Sequence, residues 1–339
     1  PVLWSVDNPV LYKAVTRVFV KKKALDQYEI DFGIRYFNFD AERGFSLNGR
    51  PMKINGVCLH HDLGCLGSAF NTRAMERQLE IMRGMGVNAI RTSHNPPAPE
   101  LLTLCDQMGF IVMDEMFDMW KIKKTEFDYS QDWDLWHKRD LEDFVKRDRN
   151  HPSVIIWSVG NEIMEQWDST GVRITRELAG IVKALDKTRP VTTANNEVRG
   201  SVNTLIQSDA LDLIGFNYHH ESFEPFPRYY PGKKFIATET ASSLATRGHY
   251  DMPSDSIRRW PIAWDKPFVE GNPDHTVSAY DHVSAPWGST QEETWKIIKK
   301  HDYLSGQFIW TGFDYIGEPT PYGWPSRSSY FGIVDLAGF

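Results

Sequence analysis

The sequence predicts an α/β fold: a (β/α)₈ TIM barrel preceded by the last strands of a β-sandwich. Three observations predict it. From Met52 onward, apolar and often β-branched runs alternate with amphipathic helical stretches, the order of an all-parallel sheet covered on both faces. Eight such units fit the 295 residues from 45 to 339 if one long insertion is allowed. Nearly every strand delivers a polar or ionisable residue at its carboxyl end, where such barrels build their sites. The rival, a doubly wound open sheet, usually opens with a GxGxxG turn after its first strand. Here the first strand ends in His60-His61-Asp62.

The lead-in is residues 1–44. LYKAVTRVFV alternates apolar and polar residues, a lysine run follows, and YEIDFGIRYFNFD alternates again, which predicts a hairpin of half-buried antiparallel strands. So short a piece is marginal alone, so it reads as the tail of a larger sandwich. The chain opens at Pro1 and stops at Phe339 as if cut from a longer protein. Asn48-Gly49 marks a tight turn into the barrel domain, residues 45–339.

In chain order, MKINGVCLHH is the first barrel strand. Thr72 to Met85 is helical, with Met75, Leu79, Met82 and Met85 on one face and Gly86 as its stop. VNAIRTSH, FIVMDEMF and VIIWSVGNE are strands two to four, separated by helices over Ala98–Met108 and Leu135–Arg149. A helix from Ser169 to Asp186 leads to PVTTANN, and a short one near Val202–Ser208 leads to LDLIGFNYHH. KFIATETAS is the seventh strand. An irregular stretch, Ser243–Ser289, separates it from a helix over Gln291–His301 and the last strand, GQFIWTGFD.

Composition narrows the function. The net charge is −7 with both signs interspersed, so a nucleic-acid partner, which wants a basic face, is not expected. No run of eighteen apolar residues predicts a membrane helix. Twelve tryptophans suit flat surfaces that stack on sugars. Three cysteines, Cys58, Cys65 and Cys105, are too few and too poorly spaced for a zinc site, and a Cys58–Cys65 bridge stays open. With no targeting segment legible, a bacterial cytoplasm or a periplasm both fit, and a homo-oligomer is allowed.

The strand ends give the chemistry. In order they carry His60 and His61; Arg91 and His94; Asp114 and Glu115; Asn161 and Glu162; Asn195 and Asn196; Tyr218, His219 and His220; Glu239; and Trp310 with Asp314. One such residue is ordinarily a cap or a rim salt bridge; eight sets in succession point to a site. Glu162 ends strand four and Glu239 ends strand seven, so both face the barrel mouth. Converging carboxyls do not ionise together easily, and that divides labour between an acid and a nucleophile. Glycoside hydrolysis needs that pair. Asn161 can bond a sugar 2-hydroxyl, Tyr218 can hold the nucleophile, Arg91 can keep it ionised, and Trp310 offers a stacking face. His60 and His61 point to opposite sides of a strand and no HExxH pair occurs, so hydrogen bonds to hydroxyls suit His60 and His94 better than a metal.

At these residues a family resemblance becomes visible. RDRNHPSVIIWSVGNE, from Arg147 to Glu162, resembles the acid/base segment of glycoside hydrolase family 2. NAIRTSHNP, DEMFDMW, IATETA and FIWTGFDYIGEP resemble its other barrel segments. The resemblance implies a jelly-roll domain and an immunoglobulin-like sandwich before the barrel, with residues 1–44 as the end of that sandwich. It implies a retaining exo-β-glycosidase with Glu162 as acid/base and Glu239 as nucleophile, acting on a carbohydrate substrate. His60, Arg91, His94, Asn161, Tyr218 and Trp310 become substrate-site positions. Family members that use magnesium carry Glu-x-His just after the Asp-Glu of strand three; here Met116-Phe117-Asp118-Met119-Trp120 stands there, so no metal and no cofactor is expected. Asp118 and Trp120 from this stretch join the candidate substrate contacts. The histidine expected three residues after the nucleophile is Ser242, and the Asn-x-Lys of β-glucuronidases is not evident. The segment from Trp310 through FDYIGEPTPYGWP to FGIVDL most resembles metal-independent β-galactosidases, which implies terminal β-galactosides as the substrates. A β-glucuronidase or β-mannosidase of the same family, a non-catalytic carbohydrate-binding barrel, and a metal-dependent hydrolase or aldolase are the alternatives.

Overall fold

The computed structural model describes all 339 residues. Strands β1 (Tyr12–Val20) and β2 (Lys23–Phe32) form an antiparallel hairpin. Its turn is Lys21-Lys22, with φ of 45° and 71°. Positive φ at both central residues matches the right-handed twist of the strands. The alternating sequence predicts half-buried strands, but Val18, Phe19 and Tyr28 are each more than half exposed. Nothing else in this chain packs on either face of most of the hairpin.

Strands β3 (Phe37–Asp40), β4 (Gly44–Leu47) and β5 (Arg50–Pro51) make an antiparallel meander. The expected Asn48-Gly49 turn joins the last two, again with positive φ at both residues. Phe39, Phe45 and Leu47 pack with Ile54, Ile111, Ile155 and Phe308 of the barrel strands. Gly44 lies against Asp302 and Ser305, so the meander plugs the amino-terminal end of the barrel.

The barrel alternates strand and helix. Its elements are β6 (Ile54–Leu59), α1 (Thr72–Gly84), β7 (Ala89–Thr92), α2 (Pro99–Met108), β8 (Ile111–Glu115), α3 (Trp133–Asp148) and β9 (Val154–Asn161). Then come α4 (Thr170–Leu185), β10 (Val191–Asn195), α5 (Thr204–Gln207), β11 (Ile214–Asn217), α6 (Phe226–Tyr229) and β12 (Phe235–Ala241). The irregular stretch after β12 holds only the two-residue strands β13 (Arg258–Arg259) and β14 (Val283–Ser284), before α7 (Gln291–Lys300) and β15 (Leu304–Trp310). The eight long strands close in the order β6-β7-β8-β9-β10-β11-β12-β15, all parallel.

Alternate residues along each strand serve two cores. Val57, Ile90, Val112, Trp157 and Phe216 face the helices, where Leu79, Leu102, Leu141 and Leu178 meet them. Cys58, Ala89, Met113, Ile156 and Phe308 fill the barrel interior. Helix ends follow their sequence signals. Asn71 caps α1 by accepting from the Ala74 N–H at 3.0 Å, Gly109 ends α2 in the left-handed region, and Thr290 with Glu293 closes a capping box on α7. The three cysteines are free; Cys58 is buried and Cys65 exposed, so the Cys58–Cys65 bridge is not made. No helix is long and apolar enough to cross a membrane.

Candidate active site

The barrel strands end irregularly where the side chains must be aimed. Register shifts between Thr192 and Ala194 and between Phe216 and Asn217 leave Ala194 opposite Asn161 and Asn217 opposite Glu239. Such bulges redirect side chains near sites. Glu162 itself has φ 42°, and Tyr218 and His219 have φ 57° and 55°, left-handed backbone that most side chains avoid. These turns bring Glu162, Glu239, Asn161, His94, Tyr218 and Trp310 to the wall of one cavity of about 640 Å³, a volume in the usual range for a small-molecule site.

The two carboxyls sit in opposite electrostatic settings. Glu239 accepts from Arg91 Nη1 at 2.7 Å, and His94 Nε2 is 3.6 Å from the same oxygen. The contact is a charge-assisted hydrogen bond between a guanidinium and a carboxyl. Glu162 accepts one bond, from Asn217 Nδ2 at 3.0 Å. Burial, and then the neighbouring Glu239 charge, push its carboxyl up to about 7. One group is thus paired with a cation and the other keeps a proton near neutrality, a contrast that acid-assisted nucleophilic displacement uses.

Arg91 is fully buried, so it is not a substrate contact as the sequence suggested. Its Nε and Nη2 engage Glu115 at 2.8–3.1 Å, Nη2 also reaches Asn161 Oδ1 at 2.9 Å, and Nη1 donates to Glu239 and to the Thr238 carbonyl. Every arm of the fork is engaged by protein, which leaves none for a sugar. Its place is behind the wall, where it positions Glu239 and Asn161. Glu115, also fully buried, further accepts from Ser158 at 2.6 Å and bonds His94 Nδ1 at 2.7 Å. Replacing Arg91 with leucine is expected to destabilise the fold by about 3–5 kcal/mol, because it leaves Glu115 and Glu239 buried without their cation. Chemical denaturation measures this; a loss under about 1 kcal/mol would show that the pair is not the support described.

The amide of Asn161 is fixed by its partners. Its Oδ1 accepts from Arg91 and from Asn217 Nδ2 at 3.0 Å, and its Nδ2 donates to Asp118 at 3.1 Å. Two donors on one atom define that atom as oxygen, so the remaining N–H is free for a hydroxyl in the cavity. His94 is neutral near neutrality: burial, with Arg91 beside it, pushes the imidazole down to about 3. Its Nδ1 bonds Glu115 at 2.7 Å, and its Nε2 lies 3.6 Å from Glu239 at the cavity wall. The ring lies parallel to Trp310 at 5.2 Å, making one aromatic wall.

Tyr218 accepts from the Ser242 hydroxyl at 3.0 Å, and Ser242 accepts from Trp287 Nε1 at 3.2 Å. Ser242, at the position where the resemblance led us to expect histidine, therefore orients the phenol. Burial and the Glu239 and Glu162 charges hold the Tyr218 phenol well above its ordinary range, so it keeps its proton.

Three sequence candidates lie elsewhere. Trp120 has no exposed surface; its Nε1 donates to the Val159 carbonyl at 2.7 Å and its ring packs on Trp133. It is a core residue behind β9 and cannot stack on a sugar. Asp118 pairs with Lys124 at 2.8 Å and lines a neighbouring depression with His94 and Phe127. His60 stands edge-on to Trp310 at 5.1 Å and lines a second side depression, with Asp62 and Tyr315. Burial pushes its imidazole down to about 4.

The sequence reading missed Asn217, Trp264, Trp287 and Glu318. Asn217, which bonds both Asn161 and Glu162, is legible as the last residue of its strand, one position before Tyr218. The others sit in stretches with no periodicity. Trp264 and Trp287 come from the irregular segment after β12, and Glu318 from the loop after β15. No group of three or more His, Cys, Asp or Glu side chains forms a metal-binding cluster.

Comparison with known proteins places this geometry in context. The family model for glycosyl hydrolases family 2, TIM barrel domain, matches residues 41–318, and a second model, glycosyl hydrolases family 2, matches residues 1–35. The chain is 53% identical to β-galactosidase BoGH2A of Bacteroides ovatus over all of its length and 43% of that protein's. It is 34% identical to a putative β-glucuronidase of Formosa agariphila, covering all of the chain and 33% of that protein. Among solved structures, a β-glycosidase from Bacteroides vulgatus superposes with a TM-score of 0.86 at 35% identity, over all of this chain and 44% of that one. A family 2 member from Bacteroides cellulosilyticus gives 0.81 at 38%, over all of this chain and 39% of that one. The chain thus spans less than half the length of each of these proteins.

Proposed function

Because the chain belongs to glycosyl hydrolase family 2, we propose that its cavity hydrolyses terminal β-galactosides with retention of anomeric configuration. Glu239 attacks the anomeric carbon and forms a glycosyl ester, while Glu162 gives its proton to the departing aglycone oxygen. Glu162 then takes a proton from water as the water displaces Glu239, and the β-sugar leaves. The free N–H of Asn161 receives the 2-hydroxyl, Tyr218 steadies the nucleophile, and Trp310 with His94 forms the face against the ring. Arg91 grips Glu239 from behind and holds it in place.

The observation that carries this reading is the contrast between two carboxyls on one cavity. Glu239 is clamped by a guanidinium, and Glu162 is held near neutrality by burial and by Glu239. The galactoside assignment is supported by the 53% identity to a protein named β-galactosidase. Proteins named β-glucuronidase stand further off, at 34% and 27%. A panel of nitrophenyl β-galactoside, β-glucuronide, β-mannoside and β-glucoside tests it. The β-galactoside is expected to give the highest kcat/KM by at least about tenfold. Preference for another sugar would move the substrate within the family, and turnover of none would overturn the glycosidase reading of this chain.

A further inference from the structure

The cavity holds a third carboxyl, Glu318, which the double displacement does not use. It lies in the loop after β15, eight residues beyond Trp310. In the closed ring of strands, β15 is diametrically opposite β9, the strand that presents Glu162. In the proposed reaction the aglycone departs past Glu162, and a carboxyl reaching the cavity from the opposite side would meet the far end of the glycone, where C4 and C6 lie. One of its oxygens accepts from the Tyr315 hydroxyl. Tyr315 is itself buried edge-on against Trp310, so the carboxyl stands on a fixed support. Its other oxygen has no protein partner among the side-chain bonds of the cavity. Glu239 is close enough that, after burial, its charge helps to push the Glu318 carboxyl above the usual range.

We propose that Glu318 sets selectivity at the far end of the glycone: its carboxyl receives the hydroxyls of a neutral hexose and turns away a uronic acid. This rests on the reading of the cavity as a galactoside site. A carboxylate is an acceptor only, so it is satisfied by a hydroxyl that donates. The C6 carboxylate of a uronic acid has no proton to donate at neutral pH. It would also enter a cavity already holding Glu239 and Glu318. A like charge and an unpaired acceptor are the two devices that exclude a competitor without touching the preferred ligand.

D-Galactose and D-galacturonate differ only at C6, so the pair isolates this effect. Titration calorimetry on the chain and on E318Q and E318D reads it without needing turnover. Galacturonate is expected to bind the unmodified chain at least about tenfold more weakly than galactose. In E318Q, which keeps the size and the acceptor for Tyr315, the ratio is expected to fall to within about threefold. In E318D, which keeps the charge but withdraws it, galactose binding weakens while the ratio against galacturonate persists. A ratio unchanged in E318Q, a ratio lost equally in E318D, or no galactose binding by the unmodified chain each overturns the proposal. Binding with the expected ratios but no hydrolysis of any glycoside would instead overturn the catalytic reading alone.

Discussion

Alanine in place of Glu239 is expected to lower kcat/KM for nitrophenyl β-galactoside by on the order of 10⁴-fold or more, because the proposed covalent route disappears with the proposed nucleophile. The fold should survive. Arg91 loses one anionic partner but keeps Glu115, which it grips through two nitrogens, so no buried cation is stranded. The deleted side chain leaves a void beside the anomeric carbon with that guanidinium still behind it. Azide at high concentration fits there and can attack from the vacated side. With one displacement in place of two, the product is the α-galactosyl azide, readable by NMR. Activity within about tenfold of the unmodified chain, or no azide product from a folded variant, would assign the attack to another group.

Glutamine in place of Glu162 is expected to cost about 10²–10⁴-fold in kcat/KM for an alkyl galactoside, whose leaving oxygen needs a proton. For a dinitrophenyl galactoside the first step needs none, and the loss there should be at most about tenfold. Equal losses on both substrates would remove Glu162 from the acid role. The pH profile gives an independent check. In the proposed mechanism the acid form of Glu162 is the working form, and burial with the Glu239 charge raises this carboxyl to about 7. Activity on the alkyl galactoside should therefore fall roughly tenfold per pH unit above that value, and this limb should vanish in the glutamine variant. Since the Glu239 charge is one cause of the raised value, Glu239→Gln should move the Glu162 titration toward lower pH.

Much of the barrel was legible because its signals are local. Alternating strand and helix patterns located every long strand, and glycine, proline and asparagine marked the helix ends. The strand ends named both carboxyls, Asn161, His94 and Tyr218, because position at a strand terminus is a matter of counting. Burial was harder to foresee. Arg91 and Trp120 sit in sequence beside site residues, yet one lies behind the cavity wall and the other in the core, and only three-dimensional packing separates wall from lining. The hairpin failed in the opposite sense: its alternation promises a buried face, and whether a face is covered depends on what lies across from it. Glu318, Trp264 and Trp287 were missed because they reach the cavity from irregular segments, where no period fixes direction.

The Arg91–Glu115–Glu239 cluster has a consequence for the whole first half of the proposed reaction. With Glu162 protonated and His94 neutral, the two catalytic carboxyls and the Arg91–Glu115 pair sum to one negative charge: plus one on Arg91, minus one on each of Glu115 and Glu239. When Glu239 becomes an ester it turns neutral, and Glu162, having surrendered its proton, turns negative. The total is unchanged. Arg91 is then balanced by Glu115 alone, a permanent counter-ion that never enters the chemistry. A poorly solvated interior penalises any net gain or loss of charge far more than a transfer between neighbours. An anionic site that only relocates its charge, from one wall to the other, avoids that penalty at both ends of the step.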